Sequence, residues 1–197
     1  EVLVDPRTSY AMAKRYNEIY LASHHEERGL NVISLRFFNV YGWNQDNRMV
    51  VPLFFEQALA NQPITVFGNG KQTRDFTYID DVVDAICIAA KKIPKNNKKW
   101  NKKYPNPKCS YAPYRIFNVG GNNPINLKKF IGIIENYLGK KSKKNYLLIQ
   151  KGDVIKTQSS ISWSKKVLKQ FPKVKAETGI KNFIDWSISY YKPLIKK

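Results

Sequence analysis

Apolar and polar positions divide the chain into helices and strands in turn. SYAMAKRYNEIYLASHH, from Ser9 to about His25, is dominated by good helix formers and meets no Pro or Gly before Gly29. That predicts a first helix, capped by Thr8 or Ser9. NVISLRFF (31–38) is a short apolar run with branched and aromatic residues, a buried strand, and NVYGWNQDNR after it is a loop. VVPLFFEQALANQ (50–62) predicts a helix, ITVF (64–67) a strand, GNGK (68–71) a turn and TRDFTYI (73–79) an alternating strand. DDVVDAICIAAKK (80–92) predicts a helix whose first-turn acids suit the helix dipole. Residues 93–113 lack apolar periodicity and carry Pro94, Pro105, Pro107 and Pro113, so they predict a long loop. A strand at 114–121, a helix at 125–139 closed by Gly139, a strand at 145–149 and helices at 162–171 and 178–192 complete the pattern.

The alternation argues an α/β fold without internal repeats. Ligands of open α/β sheets bind at the carboxyl ends of strands, which is where Asn39 and Tyr41 fall. A dinucleotide-binding half ordinarily opens with a strand, a glycine-rich turn and a helix. No such turn follows an early strand here, so the pattern predicts a chain that starts inside its fold.

With 197 residues, 43% hydrophobic and 13% aromatic, the chain suffices for a globular core. It has no apolar run long enough to span a membrane, and EVLVDPRTSY lacks the features of a secretory signal. Cys87 and Cys109 make neither a disulfide framework nor a metal site, and His24 and His25 have no ligand partners at a useful spacing. A cytoplasmic protein with free thiols, no metal and no membrane partner is expected. The net charge of +19 invites a nucleic-acid reading. However, the lysines concentrate in 91–108, 139–145 and the tail, mixed with asparagine, without a recognition helix, zinc finger or aromatic RNA-binding signature. They read as solvated runs, and no nucleic acid is expected.

Tyr10 and Lys14 stand four positions apart, on one face of the predicted helix. An ammonium close to a phenol stabilises the phenolate, which makes the pair a candidate acid/base couple for a sugar or alcohol hydroxyl. A packing tyrosine beside a solvated lysine is the alternative that spacing alone leaves open.

SYAMAK, LRFFNVYG, GNGKQTRDFTYIDDVVDAI, APYRIFNVGGNNPINL and QKGDV, in that order, resemble the carboxyl-terminal part of an extended short-chain dehydrogenase/reductase. The likeness is to NAD-dependent nucleoside-diphosphate-sugar epimerases and dehydratases, and within them to UDP-glucuronate 4-epimerases. Even the loop fits, with Trp100 and the prolines before A-P-Y-R-I resembling an insertion typical of that branch. The resemblance implies residues 1–49 as the end of a Rossmann-like NAD-binding domain. It implies 50–197 as mainly a small mixed α/β sugar-nucleotide-binding domain, with 73–92 returning to the first domain.

It implies further that Tyr10 is the base for the 4-hydroxyl of a UDP-sugar and that Lys14 holds the nicotinamide ribose, with Phe37 beside the nicotinamide. Asn39 and Arg74 would bind the diphosphate, Asp153 the uridine ribose, and Val50, Val66 and Phe67 the uracil. Plainer readings stand beside these: a turn residue for Asn39, a salt bridge to Asp75 or Asp80 for Arg74, a Gly-Asp turn for Asp153, and core packing for the apolar four. The sugar would be UDP-glucuronate, UDP-glucose or UDP-N-acetylglucosamine, the full-length protein a homodimer through the Tyr10 helix, and this chain alone inactive. A 4,6-dehydratase, a decarboxylase or a non-catalytic sugar-nucleotide-binding module are the alternatives. Asn39 stands where glucuronate epimerases carry threonine, and Asp46 where they carry an arginine near the sugar carboxylate, a place Arg48 could fill. Gln150 or Lys151 replaces a second arginine near the diphosphate.

Overall fold

A computed structural model describes residues 5–6 and 8–195, with Glu26 and residues 192–195 as backbone. In order, the elements are α1 (Ser9–Arg28), β1 (Val32–Phe37), β2 (Val40–Tyr41), α2 (Val50–Leu59), β3 (Ile64–Phe67), β4 (Thr73–Arg74) and β5 (Thr77–Tyr78). Then follow α3 (Ile79–Ala90), β6 (Tyr114–Val119), β7 (Ile125–Asn126), α4 (Leu127–Leu138), β8 (Lys144–Leu147), α5 (Ser162–Leu168) and α6 (Ala176–Ile195). The opening EVLV, read above as no secretory signal, lies outside the described residues.

Local chemistry sets the helix ends. The Thr8 hydroxyl accepts from the Ala11 amide at 3.1 Å and caps α1. Gly29, left-handed at φ 67°, closes it by donating to the His25 carbonyl, so the helix runs on to Arg28. Asn126 and Gly139 frame α4 in the same way.

The strand pairs are mostly parallel, as an α/β fold requires. β1 pairs with β6, Val32 opposite Tyr114 through Phe37 opposite Val119. β2 pairs in parallel with β5 and β3 with β8, whereas β4 and β7 are antiparallel. β2 lies in a segment expected to be loop, and its two residues pair with Thr77 and Tyr78. The strand expected over 73–79 is two short strands in different sheets. Alternation predicts one polar face, but Asp75, Phe76, Thr77 and Tyr78 are all buried, because the chain dives inward at Asp75 to meet donors from elsewhere.

Two apolar clusters result. The larger joins α2, β3, α4 and α6, where Ile180, Phe183 and Ile184 form the i, i+3, i+4 stripe that faces Phe55 and Phe130. Ile64, Ile134, Ile180 and Ile184 are each 0% exposed, and burying such a side chain is worth about 1.5–3 kcal/mol. The smaller seats Val82 and Ala85 of α3 against Val119, Leu35 and Val40. Cys87 and Cys109 are free. Among the described residues no helix is long and apolar enough to cross a membrane, and no group of His, Cys, Asp and Glu could hold a metal ion.

Candidate functional site

α1 presents Tyr10 and Lys14 on one face, with the Lys14 ammonium 5.3 Å from the centre of the Tyr10 ring. Tyr10 is 71% exposed, so its phenol is open to a ligand. The helix is fixed to the sheet further along. Glu18 accepts from Arg36 of β1 at 2.5 Å and from Arg15 at 2.9 Å, and its backbone carbonyl accepts from the Tyr114 hydroxyl at 3.1 Å. Burial pushes the Glu18 carboxyl up, but the two guanidinium groups outweigh it and hold it below the usual carboxylate range.

Arg36 precedes Phe37, the last residue of β1 and half exposed. The chain turns at Asn39, which adopts the left-handed φ of 32° that asparagine tolerates better than most residues. Its carbonyl accepts from the Thr77 amide at 3.2 Å, and the Thr77 hydroxyl donates to the Phe38 carbonyl at 2.6 Å. The Asn39 side chain is exposed, and its Oδ1 accepts from the Thr157 hydroxyl at 3.2 Å.

Arg74 donates to Asp153 at 2.6 Å, the two side chains being 12% and 33% exposed, and to the Thr73 carbonyl at 3.0 Å. The salt bridge foreseen for Arg74 is therefore made, but to Asp153 and not to Asp75 or Asp80. Gly152, left-handed at φ 82°, brings this turn against α1: a Cβ there would lie 3.2 Å from the Thr8 methyl. The Thr8 cap, the Gly152–Asp153 turn, Arg74, Thr157 and Asn39 thus form one continuous neighbourhood.

Asp75, 0% exposed, holds that neighbourhood together, a role the sequence did not reveal. Its carboxylate accepts from the amides of Ser159 at 2.7 Å and of Asn122 and Asn123 at 3.2 Å, and from the Ser159 hydroxyl. The turn that supplies these amides packs so tightly that a Cβ on Gly121 would come within 2.4 Å of the Phe76 carbonyl oxygen. The available signal was the cluster of hydroxylic residues Thr157, Ser159 and Ser160 shortly after QKGDV.

The three residues expected around the uracil behave differently. Val50 is half-buried against the large cluster and Phe67 is 37% exposed, whereas Val66 is 1% exposed and is a core residue without surface for a ligand. Arg48, considered for a sugar carboxylate, donates to Asp46 at 2.5 Å, which together with the Arg48 amide holds that carboxyl down at about 2. An apolar cleft of about 370 Å³ between β1 and α3, lined by Ile33, Leu35, Ile86, Ala89 and Ile93, contains none of these residues.

The residues expected at the nicotinamide are open to solvent. Tyr10 and Lys14 are exposed on one face of α1, and Phe37 is exposed at the carboxyl end of a parallel strand, where such sheets receive ligands.

Known proteins resemble this chain in sequence and in fold. Protein CapI of Staphylococcus aureus is 38% identical over 188 residues, which are 95% of this chain and 56% of the relative. The UDP-glucuronic acid 4-epimerase of Bacillus cereus, solved with UDP-glucuronic acid and NAD, superposes with a TM-score of 0.82 at 28% identity, covering 96% of this chain and 55% of that one. A UDP-N-acetylglucosamine 4-epimerase from Methanobrevibacter ruminantium, solved with UDP-N-acetylmuramic acid, gives 0.78 at 27%, covering 94% and 55%. The parallel pairs are thus part of a Rossmann-like architecture, and the chain spans about half the length of the curated relatives it matches. Residues 1–120 match the NAD dependent epimerase/dehydratase family model, and the chain belongs to that family.

Proposed function

We propose that the protein containing this chain interconverts UDP-sugars at C4. The observation that carries the reading is the meeting of the Tyr10 helix cap, the Gly152–Asp153 turn, Arg74 and Asn39 in one neighbourhood. In that arrangement the Tyr10 phenolate removes the proton from the sugar 4-hydroxyl, and Lys14, beside the ring, hydrogen-bonds the ribose of the cofactor's nicotinamide half. Tyr10, Lys14 and Phe37 would hold NAD, which would supply a hydride acceptor for C4 and a hydride donor to the opposite face of the sugar. Asn39 donates an N–H to the diphosphate, and Arg74 adds a charged fork of donors when it leaves Asp153. Asp153 is then released to accept from the uridine ribose.

Glucuronate, glucose and N-acetylglucosamine are all within this reading. The neutral sugars are favoured, because Asn39 replaces threonine and Arg48 is engaged by Asp46. Residues 1–49 with 73–92 form the NAD side, and the rest of 50–197 forms the sugar-nucleotide side. The smaller cluster supports the return of 73–92 to the first side, since Val82 and Ala85 of α3 pack against Leu35 and Val40. Dimerisation through α1, which exposes Tyr16, Ile19 and Tyr20, belongs to the same proposal.

The test is Tyr10→Phe in the product of the complete reading frame, assayed with the three UDP-sugars. Turnover is expected to fall by about 10² to 10⁴-fold, with UDP affinity nearly unchanged. Retained turnover would remove Tyr10 from the chemistry. UDP binding without turnover of any sugar by the unsubstituted protein would replace the enzyme by a binding module.

A further inference from the structure

We infer that Thr157 is a positioning residue that orients the Asn39 amide toward the diphosphate of a nucleotide sugar. The inference rests on the proposed function, in which Asn39 donates to that diphosphate. A threonine hydroxyl has one proton and two lone pairs. The Asp75 amide, which can only donate, takes one lone pair of Thr157 Oγ1 at 3.1 Å. The proton goes to Asn39 Oδ1 at 3.2 Å.

With Oδ1 held in this way, Nδ2 is directed away from Thr157, on a residue whose side chain is open to solvent. A flipped amide could donate to the second lone pair of the hydroxyl, but it would leave the hydroxyl proton without Oδ1 and turn an acceptor, not an N–H, toward the diphosphate. Both partners of the hydroxyl are themselves fixed. The Asp75 carboxylate is buried among amides from 122, 123 and 159, and the Thr157 amide donates to the Thr73 carbonyl at 3.1 Å. At Asn39 the left-handed turn is locked by the Thr77 amide. The orientation therefore runs from a buried carboxylate, through one backbone amide and one hydroxyl, to a single N–H₂ group. β-Branching restricts the Thr157 rotamer, so the hydroxyl stays where both partners meet it.

The experiment uses the product of the complete reading frame, with UDP as the probe in calorimetry and a UDP-sugar for kinetics. Thr157→Val, close in shape, is expected to weaken UDP about tenfold and to raise KM while kcat stays within about twofold. Thr157→Ser is expected to restore affinity. In an Asn39→Ala background, Thr157→Val is expected to add nothing, whereas a merely structural threonine would give additive losses. Should Thr157→Val not fold, the side-chain amide signals of Asn39, assigned by their disappearance in Asn39→Ala, are expected to shift when UDP is added. Unchanged UDP affinity in Thr157→Val, additive losses, or Asn39 signals that ignore UDP would overturn the inference while leaving the UDP-sugar reading standing. Failure of the unsubstituted protein to bind UDP would overturn both.

Discussion

Residues 152–159 and residues 93–113 are both irregular connections, yet they are anchored in different ways. The first is tied to distant elements: Asp153 to Arg74, Thr157 to Asn39 and Thr73, and Ser159 to Asp75. The second is tied largely to itself. The Asn97, Asn101 and Asn106 side chains each accept from an amide two residues on, Trp100 packs near Tyr111, and Arg115 reaches back to the Lys95 carbonyl. Its lysines at 98, 99, 102 and 103 are exposed. A segment whose conformation rests on asparagine turns places few demands on the identity of the residues between them. That lets a run of like charges accumulate there without disturbing the fold. Where each side chain has a partner from another element, the residue type is fixed by the partner.

Substitutions can break that contrast, and the largest effect is expected at its centre. Asp75→Ala leaves the amides of 122, 123 and 159 buried without an acceptor. Since hydrogen bonds to a charged group are worth about 1.5–3 kcal/mol each, it should cost at least about 3 kcal/mol in denaturant unfolding. A loss below about 1 kcal/mol would show that the segment is not held by this carboxylate. Arg74→Ala should weaken UDP binding by roughly 1.5 to 3 kcal/mol in calorimetry, and unchanged affinity would remove Arg74 from the diphosphate site.

The lysine run at 139–145 is an intermediate case. Glu135 accepts from Lys144 at 2.5 Å and from the Ser142 amide at 2.7 Å. Burial pushes its carboxyl up, but Lys144, the Ser142 amide and Lys141 outweigh it and hold it below the ordinary glutamate value. A carboxyl lowered by folding stabilises the protein above its unfolded pKa of about 4.3, and that stability is lost as pH falls through the folded value. Glu135→Gln should therefore cost about 1 kcal/mol at pH 7, with the gap to the unsubstituted protein closing below about pH 4. A gap that persists at low pH would show packing, not charge, at this position. The smallest effect is expected in the loop: replacing Lys98, Lys99, Lys102 and Lys103 together by asparagine should change unfolding free energy by less than about 0.5 kcal/mol and leave UDP affinity unaltered. A larger loss would assign the run a structural partner.

The sequence made the element order legible because capping residues and glycines act within a few positions. Thr8, Gly29, Asn126 and Gly139 mark helix ends wherever the rest of the chain lies. The Tyr10–Lys14 face follows from helical spacing alone. What stayed hidden involves partners far apart along the chain. Arg74 and Asp153 are 79 positions apart, Asp75 and Ser159 are 84 apart, and no local pattern selects either pairing over the nearer Asp75 or Asp80. The break of 73–79 into two strands went unseen for the same reason, since alternation reports burial on one face and both faces are covered there. Val66 shows the limit on the apolar side: a valine in a strand looks the same whether it lines a ligand or the core.

The Arg74–Asp153 pair gives the site a particular temperament toward salt. A guanidinium already neutralised by a carboxylate does not wait as a bare cation, so an arriving anion must exchange for an internal one. With Arg74 largely withdrawn from solvent, the pair feels added electrolyte less than the surface lysines do. Ionic strength should then slow the capture of nucleotide by the strongly positive chain while barely altering how long the nucleotide stays, a division between arrival and residence that the net charge of +19 alone would not suggest.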